Sequence, residues 1–117
     1  MGTHDKNILI LERDEDVAET VCSMAEVLGY RTRVCDTTDG ALTELSRKRY
    51  DIVITNRVLK HTEVSLPWLI RSVQPEAKIV VTTAWPLELK TAALPIDGLL
   101  HKPFGLNELR TAIGARQ

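Results

Sequence analysis

Asn56 follows a strand-length, largely apolar run at residues 51–55, a place where a buried strand can present a reactive side chain. An aspartate there could accept a phosphoryl group, because its carboxylate oxygen is a nucleophile. The amide oxygen of asparagine is a far poorer nucleophile, so Asn56 argues against that chemistry. Glu12, Thr83 and Lys102 likewise end or follow other apolar runs. The elements that carry these residues decide whether they meet.

Strand-length apolar runs alternate with stretches in which apolar residues recur at helical spacing. The predicted strands cover residues 8–11, 32–35, 51–55, 79–83 and 98–100. The predicted helices cover residues 17–28, 41–45, 66–73, 87–94 and 106–113. Thr38 and Asp39 are suited to cap the second helix, and Gly29 is suited to end the first. This alternation predicts one α/β domain over residues 1–117, a doubly wound parallel sheet with helices on both faces.

In doubly wound sheets the functional crevice lies at the carboxyl ends of the strands. The side chains predicted to gather there carry carboxylates, cations, a hydroxyl and an amide. They are Glu12, Arg13, Asp14, Asn56, Thr83 and Lys102.

The bulk composition excludes several classes of function. The net charge is -1 with 26% charged residues, which gives no electrostatic reason to expect nucleic acid or an anionic membrane as partner. No apolar run approaches the roughly 20 residues that span a bilayer. The amino-terminal residues lack the apolar stretch of a signal peptide, so we expect a cytoplasmic protein. Cys22 and Cys35 are too few for a disulfide framework and are expected to be buried, reduced thiols.

Four segments, in this order and spacing, resemble the receiver domain of bacterial two-component response regulators. They are residues 8–11 with the acidic residues after them, residues 50–55, residues 81–84 and residues 102–104. The resemblance covers nearly the whole chain. It implies a flavodoxin-like fold with five parallel strands in the order 2-1-3-4-5, and a cis bond between Lys102 and Pro103. In that family an acidic pair after the first strand and an aspartate after the third hold Mg²⁺, and a histidine kinase phosphorylates that aspartate.

The chain departs from the family at the positions that carry this chemistry. Arg13 replaces the second acidic residue, which is the direct metal ligand in the family. Asn56 replaces the phosphoacceptor, and Leu99 stands where the family has its switch aromatic. Leu59 and Lys60 replace the usual Met-Pro pair, and the stretch that carries the fourth helix is about one turn shorter than usual. The retained positions are Glu12, Thr83 and Lys102, of which the last two contact the phosphoryl oxygens in the family.

Charge counting links these departures. The family's three carboxylates and one lysine leave excess negative charge, which Mg²⁺ neutralises through hard oxygen ligands. The matching residues here sum to +1, or to zero if Asp14 turns inward. We therefore expect no metal and no other cofactor. Arg13 would fill the space of the ion and donate to Glu12 or to the Asn56 amide, and Lys102 would pair with Glu12.

Asp14 and Asp16 open an alternative in another class of function. They follow an apolar strand, as does the Asp-x-Asp pair of haloacid-dehalogenase-like phosphatases, so Asp14 could be the nucleophile of a small metal-dependent phosphotransferase. The chain lacks a second acidic pair late in the sequence, and it has no room for a cap. Acidic residues at the start of a helix are also favoured by the helix dipole. The capping interpretation is preferred, and we expect that the chain is not an enzyme.

Trp68 and Trp85 are candidates for contact with a partner protein. Trp68 lies at the start of the third helix beside Pro67, and Trp85 follows the fourth strand on the face that receivers use for partners. Burial against a neighbouring loop is the alternative, because tryptophan is highly buried on average. Tryptophan is also enriched at binding hot spots.

Together these features favour an atypical, phosphorylation-independent receiver, or pseudo-receiver, that signals by binding another protein. The partner would be a histidine kinase, an output domain or a second copy of the chain, with a homodimer as one outcome. The expected surface is the fourth helix, fifth strand and fifth helix. A conventional phosphoaccepting receiver inactivated by substitution at Asn56 is the alternative, and whether that asparagine is natural or engineered stays open.

Overall fold

The computed structural model describes residues 6–56, 66–83 and 95–114. The strands described are β1 (Asn7–Leu11), β2 (Arg31–Cys35), β3 (Ile52–Thr55), β4 (Lys78–Thr83) and β5 (Gly98–His101). The helices described are α1 (Glu15–Val27), α2 (Thr38–Arg47), α3 (Leu66–Val73) and α4 (Leu106–Ile113). The helix predicted over residues 87–94 lies outside the described residues, and every other predicted element is confirmed. None of the described helices has both the length and the apolar character that crossing a membrane requires.

All five strands run parallel in the order β2-β1-β3-β4-β5, which confirms the predicted doubly wound topology. In β1, Ile8 and Ile10 pack with α1 and α4, whereas Leu9 and Leu11 pack with α2 and α3. Successive side chains of a strand point to opposite faces of the sheet. A strand covered on both faces must therefore be apolar at every position, which explains the unbroken apolar run at the start of the chain.

The ends of α1 and α2 show where local sequence signals hold. Gly29 has a φ of 97°, a left-handed conformation that strains residues with side chains, and it follows α1 as predicted. At α2 the cap is Thr37 rather than Thr38, because the Thr37 Oγ1 accepts the Gly40 N–H at 3.0 Å. Thr38 is the first helical residue, and a cap must have the extended backbone that Thr37 adopts. The predicted cap was therefore wrong by one residue.

Arg71 links several segments at the amino-terminal edge of the sheet through hydrogen bonds. Its Nη1 donates to the carbonyl oxygens of Pro75 and Ala77, both at 2.7 Å. Its Nη2 donates to the Pro95 carbonyl at 3.1 Å and to the Asp97 carboxylate at 2.8 Å. One side chain at the end of α3 thus joins the turns that lead into β4 and β5, a role that no sequence pattern predicted.

The two cysteines are free thiols, as expected, but they are half-buried rather than buried. The Cys22 sulfur lies 2.7 Å from the Thr32 hydroxyl, between α1 and the edge strand β2. Burial raises the pKa of both thiols above the ordinary value for cysteine.

Candidate functional site

The carboxyl edge of the sheet positions the candidate residues through backbone hydrogen bonds that continue past the strand ends. The Glu12 N–H donates to the Cys35 carbonyl at 3.0 Å, and the Asn56 N–H donates to the Leu11 carbonyl at 3.3 Å. The Lys102 N–H donates to the carbonyl of Thr83 at 2.7 Å. Because β1 lies beside β3 and in register with it, Glu12 and Asn56 become neighbours although 44 positions separate them.

Glu12 is the centre of the site. Its side chain is only 6% exposed, and both carboxylate oxygens accept hydrogen bonds. The Lys102 Nζ lies 3.3 Å from Oε1, the Asn56 Nδ2 donates to Oε2 at 3.0 Å, and the Asp14 N–H donates to Oε2 at 3.1 Å. A buried carboxylate is tolerated only when it is paired and hydrogen-bonded. The Lys102–Glu12 pair confirms the predicted contact, and the Lys102–Pro103 bond is cis, as the resemblance implies.

Asn56 acts as a donor within this cluster. Its amide nitrogen is committed to Glu12, so the side chain holds one orientation. Its Oδ1 is buried and accepts no hydrogen bond from the described residues. The side chain at the end of β3 therefore offers an uncharged oxygen where a phosphoacceptor would offer a carboxylate.

Arg13 does not take the place predicted for it. The residue is exposed, and none of the described hydrogen bonds or ion pairs involves it. The cause is the bond from the Asp14 N–H to Glu12, which folds the chain tightly around the carboxylate and leaves the intervening residue outside. The prediction that Arg13 fills the space of an ion and donates to Glu12 or Asn56 was therefore wrong.

Asp14 caps α1 and does not turn inward. Its Oδ1 accepts the N–H of Asp16 at 2.9 Å and of Val17 at 3.2 Å. Glu15 and Asp16 occupy the first turn, where the helix dipole favours negative charge. The capping interpretation is confirmed, and the carboxylate that an Asp14-dependent phosphotransferase would need is engaged with the backbone of its own helix.

The described cluster is electrically neutral, since Glu12 and Lys102 cancel and Asn56 carries no charge. Mg²⁺ prefers about six oxygen ligands with near-ideal octahedral geometry. Glu12 is the single carboxylate in the cluster, and both its oxygens already serve as acceptors. Within the described ranges, no group of three or more His, Cys, Asp or Glu side chains could hold a metal ion. These residues do not fit the ion that the resemblance implies.

The remaining predicted residues lie around this cluster. Thr83 ends β4 at the same edge and is half-buried. Leu99, at the switch position on β5, is 44% exposed. Trp68 on α3 is 53% exposed, so its predicted alternative of burial against a loop is wrong. Trp85, the other candidate for partner contact, lies outside the described residues.

An apolar groove beside Lys102 was missed at the sequence level. It has a volume of about 500 Å³ between α1 and the segment after β5, and Val17, Met24 and Phe104 are among its lining residues. The signal was present, because Val17 and Met24 belong to the helical apolar pattern of α1. That pattern was assigned wholly to the core, whereas these side chains are only partly buried there.

Comparison with known proteins identifies the fold. No protein-family model matches the chain, and no curated protein matches it. Among solved structures, it is similar to a two-component response regulator from Clostridium difficile with a TM-score of 0.81 and 22% identity, over 95% of this chain and 94% of that one. The chain has the receiver fold of response regulators.

Two further receiver-fold structures carry ions or a modification. The receiver domain of a sensor histidine kinase from Pseudomonas aeruginosa PAO1, with magnesium in its active-site cleft, has a TM-score of 0.77 and 24% identity, over 95% of this chain and 99% of that one. A response regulator from Burkholderia pseudomallei, with a phosphorylated aspartic acid, a calcium ion and citrate, also has a TM-score of 0.77 and 24% identity. That match covers 93% of this chain, which spans 66% of the Burkholderia chain. At such identities the likeness shows the fold alone.

Proposed function

We propose that this chain is an atypical receiver domain of two-component signalling that works without phosphorylation, as a protein-binding module. The observation that carries the proposal is Asn56 at the carboxyl end of β3, with its amide nitrogen committed to Glu12. An amide at that position cannot form the acyl phosphate on which a conventional receiver depends. Both oxygens of the Glu12 carboxylate instead accept hydrogen bonds, from Lys102, from Asn56 and from the Asp14 N–H.

The charges of the cluster support a site that works without a metal ion. In the Pseudomonas receiver a magnesium ion lies in the active-site cleft. Here Lys102 already compensates the Glu12 carboxylate at 3.3 Å, so the cluster of Glu12, Asn56 and Lys102 has no excess negative charge to attract a divalent cation. We propose that the domain needs no cofactor and that the cluster holds the edge of the sheet in one conformation.

The surface formed by β5 and α4 is the proposed partner site. A groove of about 440 Å³ lies there, and Leu99, Phe104, Asn107 and Thr111 are among its lining residues. Leu99 exposes 44% of its surface in place of an aromatic switch residue, and an exposed leucine provides a constant apolar contact. The partner would be a histidine kinase, an output domain or a second copy of the chain. Trp68, on α3, is a separate exposed anchor.

The alternative is a conventional receiver in which a single substitution at Asn56 removed the acceptor. The retention of Glu12, Thr83 and Lys102 at the same edge of the sheet favours it, since these side chains would serve an acyl phosphate. The replacement of the second acidic residue by Arg13 disfavours it, because one inactivating change would not have produced that second difference.

A phosphorylation assay on three proteins separates the two candidates. Wild type, Asn56→Asp and the double variant Asn56→Asp with Arg13→Asp are incubated with Mg²⁺ and acetyl phosphate, and phosphate is counted by intact mass. Beryllofluoride binding is followed in parallel by tryptophan fluorescence. We expect phosphorylation only in the double variant. Phosphorylation of the single variant would favour the inactivated conventional receiver, and a Mg²⁺-dependent beryllofluoride response of the wild type would overturn the proposal.

Catalysis by Asp14 is tested separately. The carboxylate is engaged in capping α1, so we expect no phosphatase turnover on a generic phosphomonoester with Mg²⁺ present. Turnover that disappears in Asp14→Asn, a variant that keeps the cap, would show instead that the chain is an enzyme.

A further inference from the structure

Charged side chains are divided between the two edges of the sheet although the net charge of the chain is only -1. The described acidic residues exposed at the carboxyl edge, on the first turns of α1 and around the start of α2, are Glu15, Asp16, Glu19, Asp36 and Asp39. The described basic residues there are Arg13 and Lys102, and the second is paired with Glu12.

The opposite edge carries an exposed basic run, Arg47, Lys48 and Arg49, at the end of α2. Beside it lies a cleft of about 430 Å³ between the end of α2 and the turn that follows α3. Tyr50 and Ala77, both buried, belong to its lining. We call this feature the basic cleft; its rim is the three basic residues.

Gln74 fixes the shape of the basic cleft. Its Nε2 donates to the carbonyl oxygens of Leu45 at 2.8 Å and Lys48 at 2.6 Å, and its Oε1 accepts the Tyr50 N–H at 2.8 Å. The Lys48 N–H in turn donates to the Glu44 carbonyl at 3.0 Å. The end of α2 is therefore held by neutral groups, and the basic side chains of the rim are not needed to satisfy it.

Those basic side chains are available to a ligand. Arg47 takes part in none of the described hydrogen bonds or ion pairs. Glu44 lies nearby, and the hydrogen bond from Tyr50 together with cations that include Arg47 and Lys48 lowers the pKa of its carboxyl. Arg49 pairs with Glu76 at 3.1 Å, but both side chains are more than two-thirds exposed, and such pairs contribute little. The Lys48 Nζ lies 5.4 Å from the centre of the Tyr50 ring. The three basic side chains of the rim outnumber the two carboxylates beside them, Glu44 and Glu76, so the cleft favours an acidic occupant.

We propose that the basic cleft binds the acidic start of α1 from a second copy of this chain. The occupant is chosen by charge complementarity, because the opposite edge of the same fold presents exposed carboxylates at Glu15, Asp16 and Glu19. The helix dipole explains acidic residues in the first turn of α1 and Arg47 in the last turn of α2. It also favours Lys48, the residue that caps the end of α2, but it does not explain Arg49, which lies one residue beyond that cap.

The contact would join two different surfaces that lie at opposite ends of the molecule. Such a heterologous, head-to-tail contact extends into a row of copies unless a rotation closes it into a ring. It is separate from the partner surface on β5 and α4, so the failure of one proposal leaves the other standing. Because the charges are exposed, the attraction is weak and screened over about 8 Å at physiological ionic strength.

Sedimentation velocity on the intact chain tests the contact. At about 1 mM protein and low salt, where screening extends to about 30 Å, we expect wild-type species larger than a monomer that disappear as salt is added. The variant Arg47→Gln with Lys48→Gln should be monomeric. Arg110→Gln, which removes a positive charge whose described hydrogen bond is to Asn107 on its own helix, should behave as wild type.

Mixing gives the sharpest result. The variant Glu15→Gln with Glu19→Gln loses two of the three carboxylates on the acidic side of the contact and should also be monomeric alone. When this variant is mixed with the Arg47→Gln, Lys48→Gln variant, each of the two proteins contributes its one intact surface. Dimers should then form, and no larger species. A wild type that stays monomeric at low salt, or oligomers that persist in the Arg47→Gln, Lys48→Gln variant, would overturn the proposal.

Discussion

Replacing Asn56 by aspartate places a second carboxylate beside a buried one. In the wild type the Asn56 Nδ2 donates to the Glu12 Oε2 at 3.0 Å. The substitution removes that donor and sets two negative charges about 4 Å apart, a repulsion of about 4 kcal/mol at an effective dielectric constant of about 20. Attraction to the Lys102 ammonium, 3.3 Å from Glu12, offsets part of this repulsion. We expect a net loss of about 2–3 kcal/mol in the free energy of unfolding at neutral pH.

The loss should depend on pH in a defined direction. Repulsion raises the pKa of the carboxyl introduced at position 56 in the folded variant. In the unfolded chain that carboxyl keeps the ordinary pKa of an aspartate, about 4. The loss in the variant should therefore be smallest near pH 4, where little of the repulsion remains. The variant should lose stability as pH rises through the unfolded and then the folded pKa, and the loss should be constant above that range.

Urea denaturation from pH 4 to pH 8, followed by tryptophan fluorescence or circular dichroism, measures this difference. Asn56→Leu is the control, because it removes the same donor without adding charge and should cost the same at every pH. An equal loss for Asn56→Asp at pH 4 and pH 7 would refute the argument that Glu12 is charged and adjacent to residue 56.

Lys102→Met should cost about 2–3 kcal/mol in urea denaturation, because it leaves the buried Glu12 carboxylate without its cation, and adding Glu12→Gln should recover most of that loss. Arg71→Ala should cost about 2–4 kcal/mol, since it strands several carbonyl oxygens and one carboxylate, and Arg71→Lys should recover only part of it. Cys22 and Cys35 should react with a disulfide reagent more slowly than a free thiol at pH 8, because burial raises the pKa of each and lowers its thiolate fraction.

Each of these expectations has a result that contradicts it. If adding Glu12→Gln to Lys102→Met recovers none of the lost stability, the two side chains do not interact. Arg110→Ala, which removes an arginine with one described hydrogen bond, at 2.8 Å to Asn107, should change stability by less than about 0.5 kcal/mol. If Arg71→Ala costs as little stability as Arg110→Ala, the hydrogen bonds of Arg71 are not made. Thiols that react as fast as free cysteine would contradict the burial.

At the carboxyl edge, sequence reasoning worked where the strand ends decide position. The apolar runs located Glu12, Asn56, Thr83 and Lys102, and parallel alternation required that they share one edge. Opposite charge then correctly paired Lys102 with Glu12. These predictions needed only the order of elements, because a strand end fixes its next residue to within a few ångströms.

The same reasoning failed where a single backbone hydrogen bond, or the local backbone conformation, decides which way a side chain points. Arg13 has the charge to enter the site, and charge counting placed it there. The Asp14 N–H to Glu12 bond turns its side chain outward. Likewise, Thr37 and Thr38 have equal capping potential, and the extended backbone at Thr37 selects it as the cap.

The sequence by itself determined the alternation of strands and helices, the two-sided core and the uncharged residue at the end of β3, because these follow from the periodicity of apolar residues and from one residue type. The strand order followed from the resemblance to receiver domains. Tertiary structure alone decided which donors surround Glu12, how Arg71 and Gln74 join distant turns, and where a basic cleft opens. Such contacts depend on side-chain direction across tens of residues. No local pattern encodes that direction, since it is set by how the helices pack on the sheet.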